Sequence, residues 1–306
     1  MMFSRSVSKY RQNGRFPMLC FLHPKTKMPL LRSGQPLAGS SGKRKYEDEQ
    51  MLRMVLSTAD VKQGLILDTR TSSVASTHRS KGGGLEVIDK YYGWSRKMLD
   101  IAAWPILADS LSKLLEACQD PSLDASKFLE KLNASNWLST VRDALSAALQ
   151  AVTCLEHEQQ PVVVHGSHGT DITCIVVALA QLYMDPYFRT LEGFCKLVEK
   201  EWLHAGHPFA SRWSPLTRHN KTERAPVFLL FLDCVYQSYF QFCAAFEFNE
   251  SFLMELYMQS YSCVFGTFVG DCEAMRAAEQ LDKKTRCFWR HALSLLGAAA
   301  PRKAGG

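Results

Sequence analysis

His165-Gly166-Ser167-His168-Gly169-Thr170-Asp171-Ile172-Thr173 is the stretch whose residue types and spacing invite a chemical reading. A glycine-rich turn between a strand and a helix exposes backbone amides that have no helical partner, and the helix dipole favours negative charge at the same place. Such a turn hydrolyses phosphoesters when it carries a thiolate and an arginine six residues apart, the one attacking phosphorus and the other forking onto its oxygens. In that register the chain has Gly166 for the thiol and Ile172 for the arginine, and none of its ten cysteines has arginine six residues later. A serine chemistry is the next reading, because Gly166-Ser167-His168-Gly169 partly matches a nucleophile elbow; its first glycine is replaced by His165, and no downstream acid and histidine are marked by a specific signal. The plain role of Ser167 is a loop hydroxyl bonding backbone amides. His165 with His168, and His204 with His207, have a spacing found in metal sites, but two histidines do not complete one, and no metal or cofactor is expected. Asp171 suits a general acid, or more plainly the cap of the helix that follows.

The elements around this loop can be read from periodicity. Residues 161–164 (Pro-Val-Val-Val) are a buried β-branched strand, and residues 171–184 are apolar on nearly every face, as a buried helix would be, with Asp185-Pro186 as its stop. Upstream, 14–32 reads as edge strands and a hairpin punctuated by Pro17, Pro24 and Pro29, 48–57 as a helix, and 64–68 (Gly-Leu-Ile-Leu-Asp) as a buried strand. Residues 34–45 form a glycine- and serine-rich loop ending in Lys43-Arg44-Lys45, either a solvated connection or a contact for phosphate head groups. Lys81-Gly82-Gly83-Gly84 is a turn permissive enough for close backbone approach. Residues 94–118, 124–138 and 139–156 are expected helices, with Pro105 breaking or starting one of them. Helices are also expected over 190–203 and 252–263, with a polar loop over 212–225 between them. Residues 226–246 imitate a membrane span, yet Asp233, Gln237 and Gln241 lay a polar stripe along one face, so a buried amphipathic helix is expected. The order helix, strand, glycine loop, helix predicts an α/β fold with its site at the carboxyl end of a strand.

At 306 residues and 46% hydrophobic the chain can bury a sizeable core. Its net charge of +6 and isoelectric point near 8.7 favour phosphate-bearing or anionic partners, without a nucleic-acid-binding signature. The cysteines are scattered singly with no Cys-x-x-Cys pair, which fits a reduced cytosol and neither a disulfide framework nor a zinc site. The basic N-terminus lacks the apolar core of a secretory signal.

Taken together, His165–Thr173, Glu192-Gly193-Phe194, Glu199-Lys200-Glu201-Trp202, Gly206-His207, 231–235, 246–250 and 265–268, with Gly34-Gln35-Pro36-Leu37 and Lys81–Gly84 upstream, resemble the phosphatase domain of the myotubularins, and most of all its catalytically inactive branch. The resemblance spans about residues 14–281. It implies an α/β cysteine-phosphatase-like fold of the protein tyrosine phosphatase superfamily, a central sheet flanked by helices. It divides the chain into an N-terminal extension (1–13), a myotubularin-type domain (14–285) and a low-complexity tail (286–306). Active members remove the 3-phosphate of phosphatidylinositol 3-phosphate and of the 3,5-bisphosphate with a Cys-x5-Arg loop. Carried over by position, their nucleophile falls on Gly166, their arginine on Ile172, their first loop aspartate on His168, their loop tryptophan on Thr170 and their second aspartate on Asp171, which alone is retained. The resemblance therefore implies a pseudophosphatase without cofactor that binds an active myotubularin-related paralogue, in the cytoplasm or peripherally on endomembranes, with at most a weak phosphoinositide contact. The family's lipid-binding PH-GRAM domain and C-terminal coiled coil are expected to be missing, as in a truncated form or isoform.

Overall fold

Three consecutive valines, each completely buried, make Val162–Gly166 the middle strand of a sheet covered on both faces. Burying each of them contributes roughly 1.5–3 kcal/mol. In the computed structural model, which describes residues 2–213 and 223–299, this strand (β5) is joined by β1 (Met18–Leu22), β2 (Pro29–Gly34), β3 (Gly64–Asp68) and β4 (Trp94–Met98) in the order β1-β2-β5-β3-β4. β2, β5, β3 and β4 run parallel, and β1 closes one edge antiparallel to β2. The expected hairpin over 14–32 is thus present, but only β1 is an edge. Pro29 is the first residue of β2, where a missing N–H costs little, so the rest of that strand can pair on both sides.

The described residues form two compact units, one within Met1–Met184 and Ala225–Val227, the other within Asp185–Arg224 and Phe228–Gly306. The first holds the sheet and helices α1 (Met2–Tyr10), α2 (Tyr46–Thr58), α3 (Ser72–Ser80), α4 (Trp104–Gln119), α5 (Ala125–Ser135), α6 (Trp137–Glu156) and α7 (Ile172–Met184). Leu52 and Leu56 of α2 pack with Leu31, Ile66, Val163, Tyr91 and Trp94 in one apolar cluster, and α6 and α7 pack on each other and on β2 and β5. Apolar residues all round α7 leave it almost wholly buried, as its sequence predicts.

Residues 94–98 depart from the expected helix. They form β4 because Gly93 turns the chain at φ +84, and because the Trp94 indole enters the core and donates to the Leu52 carbonyl at 3.1 Å; tertiary burial outweighs a helix-compatible pattern. The helix begins only at Trp104, with Pro105 in its first turn, where the absent N–H is harmless. Asn136, at φ 57, divides the expected 124–138 helix from its successor, and Asp124 caps the first of the two by accepting from the Lys127 amide.

The second unit contains α8 (Leu191–Val198), α9 (Phe209–Trp213), α10 (Val227–Gln241), α11 (Glu250–Ser262), α12 (Glu273–Ala278), α13 (Leu281–Lys284) and α14 (Phe288–Ala299). Thr190 and Asn249 cap α8 and α11 through their side-chain oxygens. The centre is aromatic: Phe194 stacks on Phe231 and tilts against Phe248, while Trp202 meets Phe228 and Phe231. The polar stripe of α10 bonds to itself, Gln237 donating to Asp233 at 3.0 Å and Gln241 to the Gln237 carbonyl at 3.2 Å. α10 stops at Gln241, short of residue 246, and among the described residues no helix is long and apolar enough to cross a membrane. Of the tail expected over 286–306, residues 288–299 form α14 and 300–306 lie outside the described residues, as does most of the polar loop expected over 212–225.

Candidate functional site

β5 delivers His165 and Gly166 to the carboxyl end of the parallel strands, and the chain then turns through 167–171 into α7. Gly169 makes the turn possible. Its φ is +74, and a Cβ there would stand 2.6 Å from the Ser33 carbonyl oxygen, so no other residue fits without strain. The carbonyl of Asp171 accepts the Cys174 amide at 2.9 Å, which sets Asp171 at the cap of α7, and its carboxylate receives the Thr170 hydroxyl at 3.2 Å. Its placement matches the plainer expectation for this residue.

The two loop histidines point to different surroundings. His165 is fully buried, with Nε2 3.3 Å from a Glu86 carboxylate oxygen and Nδ1 without a hydrogen-bond partner among the described residues. It is the last member of a buried charge network in which Arg11 forks onto both oxygens of Asp48 at 2.8 and 2.6 Å and reaches Glu86 at 2.8 Å, while the Tyr91 hydroxyl donates to Asp48. Burial by itself would raise the Glu86 carboxyl, but His165 and then Arg11 hold it well below the usual carboxylate range. Burial pushes the Tyr10 hydroxyl, beside the same network, up to about 12, with Asp48 adding to the effect. His168 is only half-buried and lies against Asn13, whose amide nitrogen is 3.2 Å from its Nδ1. The other pair divides likewise: His204 is exposed and faces Glu199, whereas His207 is buried edge-on to Trp202 and Phe209. Neither pair converges on a common point.

Ser167 has a histidine neighbour that its sequence surroundings do not reveal. His78, from α3, places Nε2 3.3 Å from Ser167 Oγ, and its Nδ1 lies 3.1 Å from the Gln35 amide nitrogen. The amide orientation of Gln35 decides what this arrangement can do. Its oxygen accepts from Arg70 Nη1 at 2.5 Å and from the Gly84 amide at 3.2 Å, so its NH2 end must face His78 and donate to Nδ1. Nδ1 is then unprotonated, the imidazole proton sits on Nε2, and His78 donates to Ser167. A histidine in that tautomer has no lone pair with which to take the serine proton, so the contact has the look of a catalytic dyad with its polarity reversed. Burial, with help from Arg70 and His168, lowers the His78 pKa and keeps the ring neutral. Arg70, which fixes Gln35, is itself forked onto Asp68 at 2.9 and 2.6 Å.

Gly166 and Ile172 are the two positions on which the resemblance places thiol and arginine. A Cβ on Gly166 would lie 2.6 Å from Thr69 Oγ1 and 3.1 Å from Thr173 Oγ1, so hydroxyls occupy the space a larger side chain would take. Ile172 is 7% exposed and joins Trp104, Ile101 and Val74 around a hollow over the loop of about 40 Å³, far below the roughly 300–1,000 Å³ of small-molecule sites. The nearest cysteine in sequence, Cys174, is buried inside α7 with its sulfur 3.6 Å from Arg32 Nη1. Of the basic residues ending the 34–45 loop, Arg44 pairs with Glu49 and Lys45 with Glu47 on α2, so two of the three are engaged by the chain itself. The Lys81–Gly84 turn does approach closely: a Cβ on Gly83 would collide with the Gln35 amide group. Thr69, Arg70, Gln35, His78 and Glu86 complete the surroundings of the loop, and no local spacing announces them. The only hints were the position of Thr69-Arg70 directly after a buried strand and of Gln35 within a phrase shared with the family.

Residues 3–277 match the myotubularin-like phosphatase domain. The chain belongs to that family. This myotubularin-like chain is 44% identical over 287 residues to human myotubularin-related protein 9, covering 93% of its own length and 52% of that relative. It is 36% identical to myotubularin-related protein 9 of Caenorhabditis elegans and 38% identical to myotubularin of Xenopus tropicalis, covering 92% and 93% of itself and 50% and 48% of those proteins. It therefore spans about half the length of the curated relatives it matches. A solved structure of kinase associated phosphatase, with serine in place of its catalytic-site cysteine, aligns over 75% of this chain and 97% of its own at a TM-score of 0.39 and 12% identity. The expected fold class holds: a mixed α/β myotubularin-type domain, with a central sheet flanked by helices.

Proposed function

We propose that this chain is a pseudophosphatase, a myotubularin-type domain over residues 14–285 that binds an active myotubularin-related paralogue and adjusts its stability and placement without turning over lipid itself. The observation that carries the reading is the pair of positions six residues apart, Gly166 and Ile172. One has neither a nucleophile nor room for one beside Thr69 Oγ1, and the other lacks the guanidinium that would hold phosphate oxygens. The serine alternative loses its support at His78, whose proton lies on the wrong nitrogen. The phosphoinositide-reader alternative meets a hollow too small for a phosphorylated inositol. Within this reading the chain resides in the cytoplasm and reaches endomembranes peripherally through its partner. The retained strand, turn and helix then serve the core: β5 and α7 are the most completely buried elements of the first unit.

The test has two arms. Purified chain is incubated with vesicles containing phosphatidylinositol 3-phosphate, and phosphate release is expected to stay at background across pH 5 to 8. Mixed with a purified active paralogue, it is expected to co-elute and raise that enzyme's melting temperature or turnover. Turnover by the chain alone that Ser167→Ala or Asp171→Asn abolishes would end the pseudophosphatase reading, and failure to alter any active paralogue would end the regulatory one.

A further inference from the structure

The second unit contains a hollow unrelated to the glycine loop. It lies among α12, α13, the first turns of α14 and the 264–267 segment, with about 1590 Å³ of space. Arg276 forms part of its wall. The Arg276 side chain is 9% exposed; its Nη2 donates to the Leu203 carbonyl at 2.8 Å and to Glu273 at 3.2 Å, while Nη1 has no acceptor among the described residues. Nη1 is itself sealed from solvent, so Arg276 contributes positive charge to the wall rather than an open hydrogen-bond donor. Lys283, Arg286 and Arg290 line the same hollow, all exposed, and no ion pair engages their side chains among the described residues. The carboxylates in the wall do not balance them. Glu273 is held by Arg276, and Glu199 by the Trp289 indole and His204, which leaves Asp282 against three unpaired cations.

We infer that this hollow is a docking site for an extended acidic peptide segment of a partner protein, its carboxylates met by the exposed Lys283, Arg286 and Arg290 over a wall that Arg276 helps make positive. Size argues against a lone anion: the space exceeds the roughly 300–1,000 Å³ of small-molecule pockets, and a single phosphate would leave most of it to water. Shape argues against a bilayer, since a flat surface does not enter the concavity that these residues line. Val264, 68% exposed, and Leu281 line the same hollow and supply apolar contact, which suits a chain that combines acidic with aliphatic residues. The inference is independent of what the loop of the first unit does.

Fluorescence anisotropy on the full chain tests it, with a fluorescein-labelled nonapeptide of three Glu-Glu-Leu repeats as probe and three Lys-Lys-Leu repeats as control. Binding of the acidic peptide alone is expected, weakening with salt as partly exposed charges are screened. Arg286→Glu combined with Arg290→Glu is expected to weaken it about tenfold or more, as reversal of two interfacial charges does, while Lys25→Glu with Lys62→Glu, the same charge change on the exposed surface of the first unit, leaves it unaltered. Absence of binding, equal loss in both charge-reversed pairs, or sedimentation with phosphatidylserine vesicles that alone responds to Arg286 and Arg290 would each overturn the inference.

Discussion

A methyl-sized group on Gly166 would press on Thr69 Oγ1 at 2.6 Å, so any side chain at this position must displace that hydroxyl. Gly166→Cys is expected to destabilise the chain by about 1–3 kcal/mol through overpacking, and Thr69→Ala in the same protein to restore at least half of the loss. Urea denaturation of the single and double variants measures both, and additive effects would show that the two side chains do not meet. Position 78 governs a second property of the loop. The folded chain keeps His78 below its ordinary value of 6.5, so the unfolded chain takes up a proton first as pH falls. Stability associated with His78 is therefore complete above pH 6.5 and is lost as pH drops from there toward the lower folded pKa. Melting temperatures at pH 7.5 and 5.5 are expected to differ less in His78→Gln than in the parent chain, and parallel profiles would remove His78 from the account.

At the scale of elements, one arginine ties together the short helix that opens the described chain, the first turn of α2 and the segment before β4. Arg11 is 1% exposed and meets two carboxylates, Asp48 and Glu86, which its loss would leave buried and unpaired. Arg11→Leu is expected to cost about 3–5 kcal/mol, as removal of one partner from a buried ion pair does. Arg44→Leu provides the contrast. Its pair with Glu49 has an arginine side chain 50% exposed, and loss of such a surface pair is worth about 0–1 kcal/mol. Equal shifts in urea midpoint would mean that the buried network does not hold these elements together. Much of the element pattern is legible in the sequence. Pro105 by itself leaves open whether it breaks or starts a helix, whereas the β5–loop–α7 unit, β3 and the α10 stripe follow from β-branched runs and helical spacing. β4 does not, because Trp94 enters a core assembled by α2, Tyr91 and β5 from elsewhere in the chain.

For the molecule as a whole, one contribution to acid sensitivity comes from Glu86, a buried carboxylate held by cations. Glu86 in the folded chain titrates well below 4.5 under the pull of His165 and Arg11, so its stabilising share is present above pH 4.5 and is lost as pH falls from there toward its folded pKa. Urea midpoints taken from pH 7 to 3 are expected to fall more steeply for the parent chain than for Glu86→Gln, which starts lower at pH 7 because it breaks the network. A steeper fall in the variant would reverse the assignment. The Glu86 share of the loss belongs to the first unit, where the network lies. Lys283, Arg286 and Arg290 of the second unit, by contrast, are exposed around the hollow.

The sequence by itself determined the family, the α/β class, the strand–loop–helix at 161–184, and the residue types at Gly166 and Ile172. Those depend on local spacing and on which atoms a side chain possesses, and both are written in chain order. Only the tertiary structure decided that Thr69 fills the space beside Gly166, that His165 turns inward to Glu86, and that His78 reaches Ser167 across 89 residues with its proton on the wrong nitrogen. The orphan donor of Arg276 is of the same kind. Distances between residues far apart in the chain, and the hydrogen-bond direction that a distant Arg70 imposes through Gln35, arise only when the sheet brings its strand ends together.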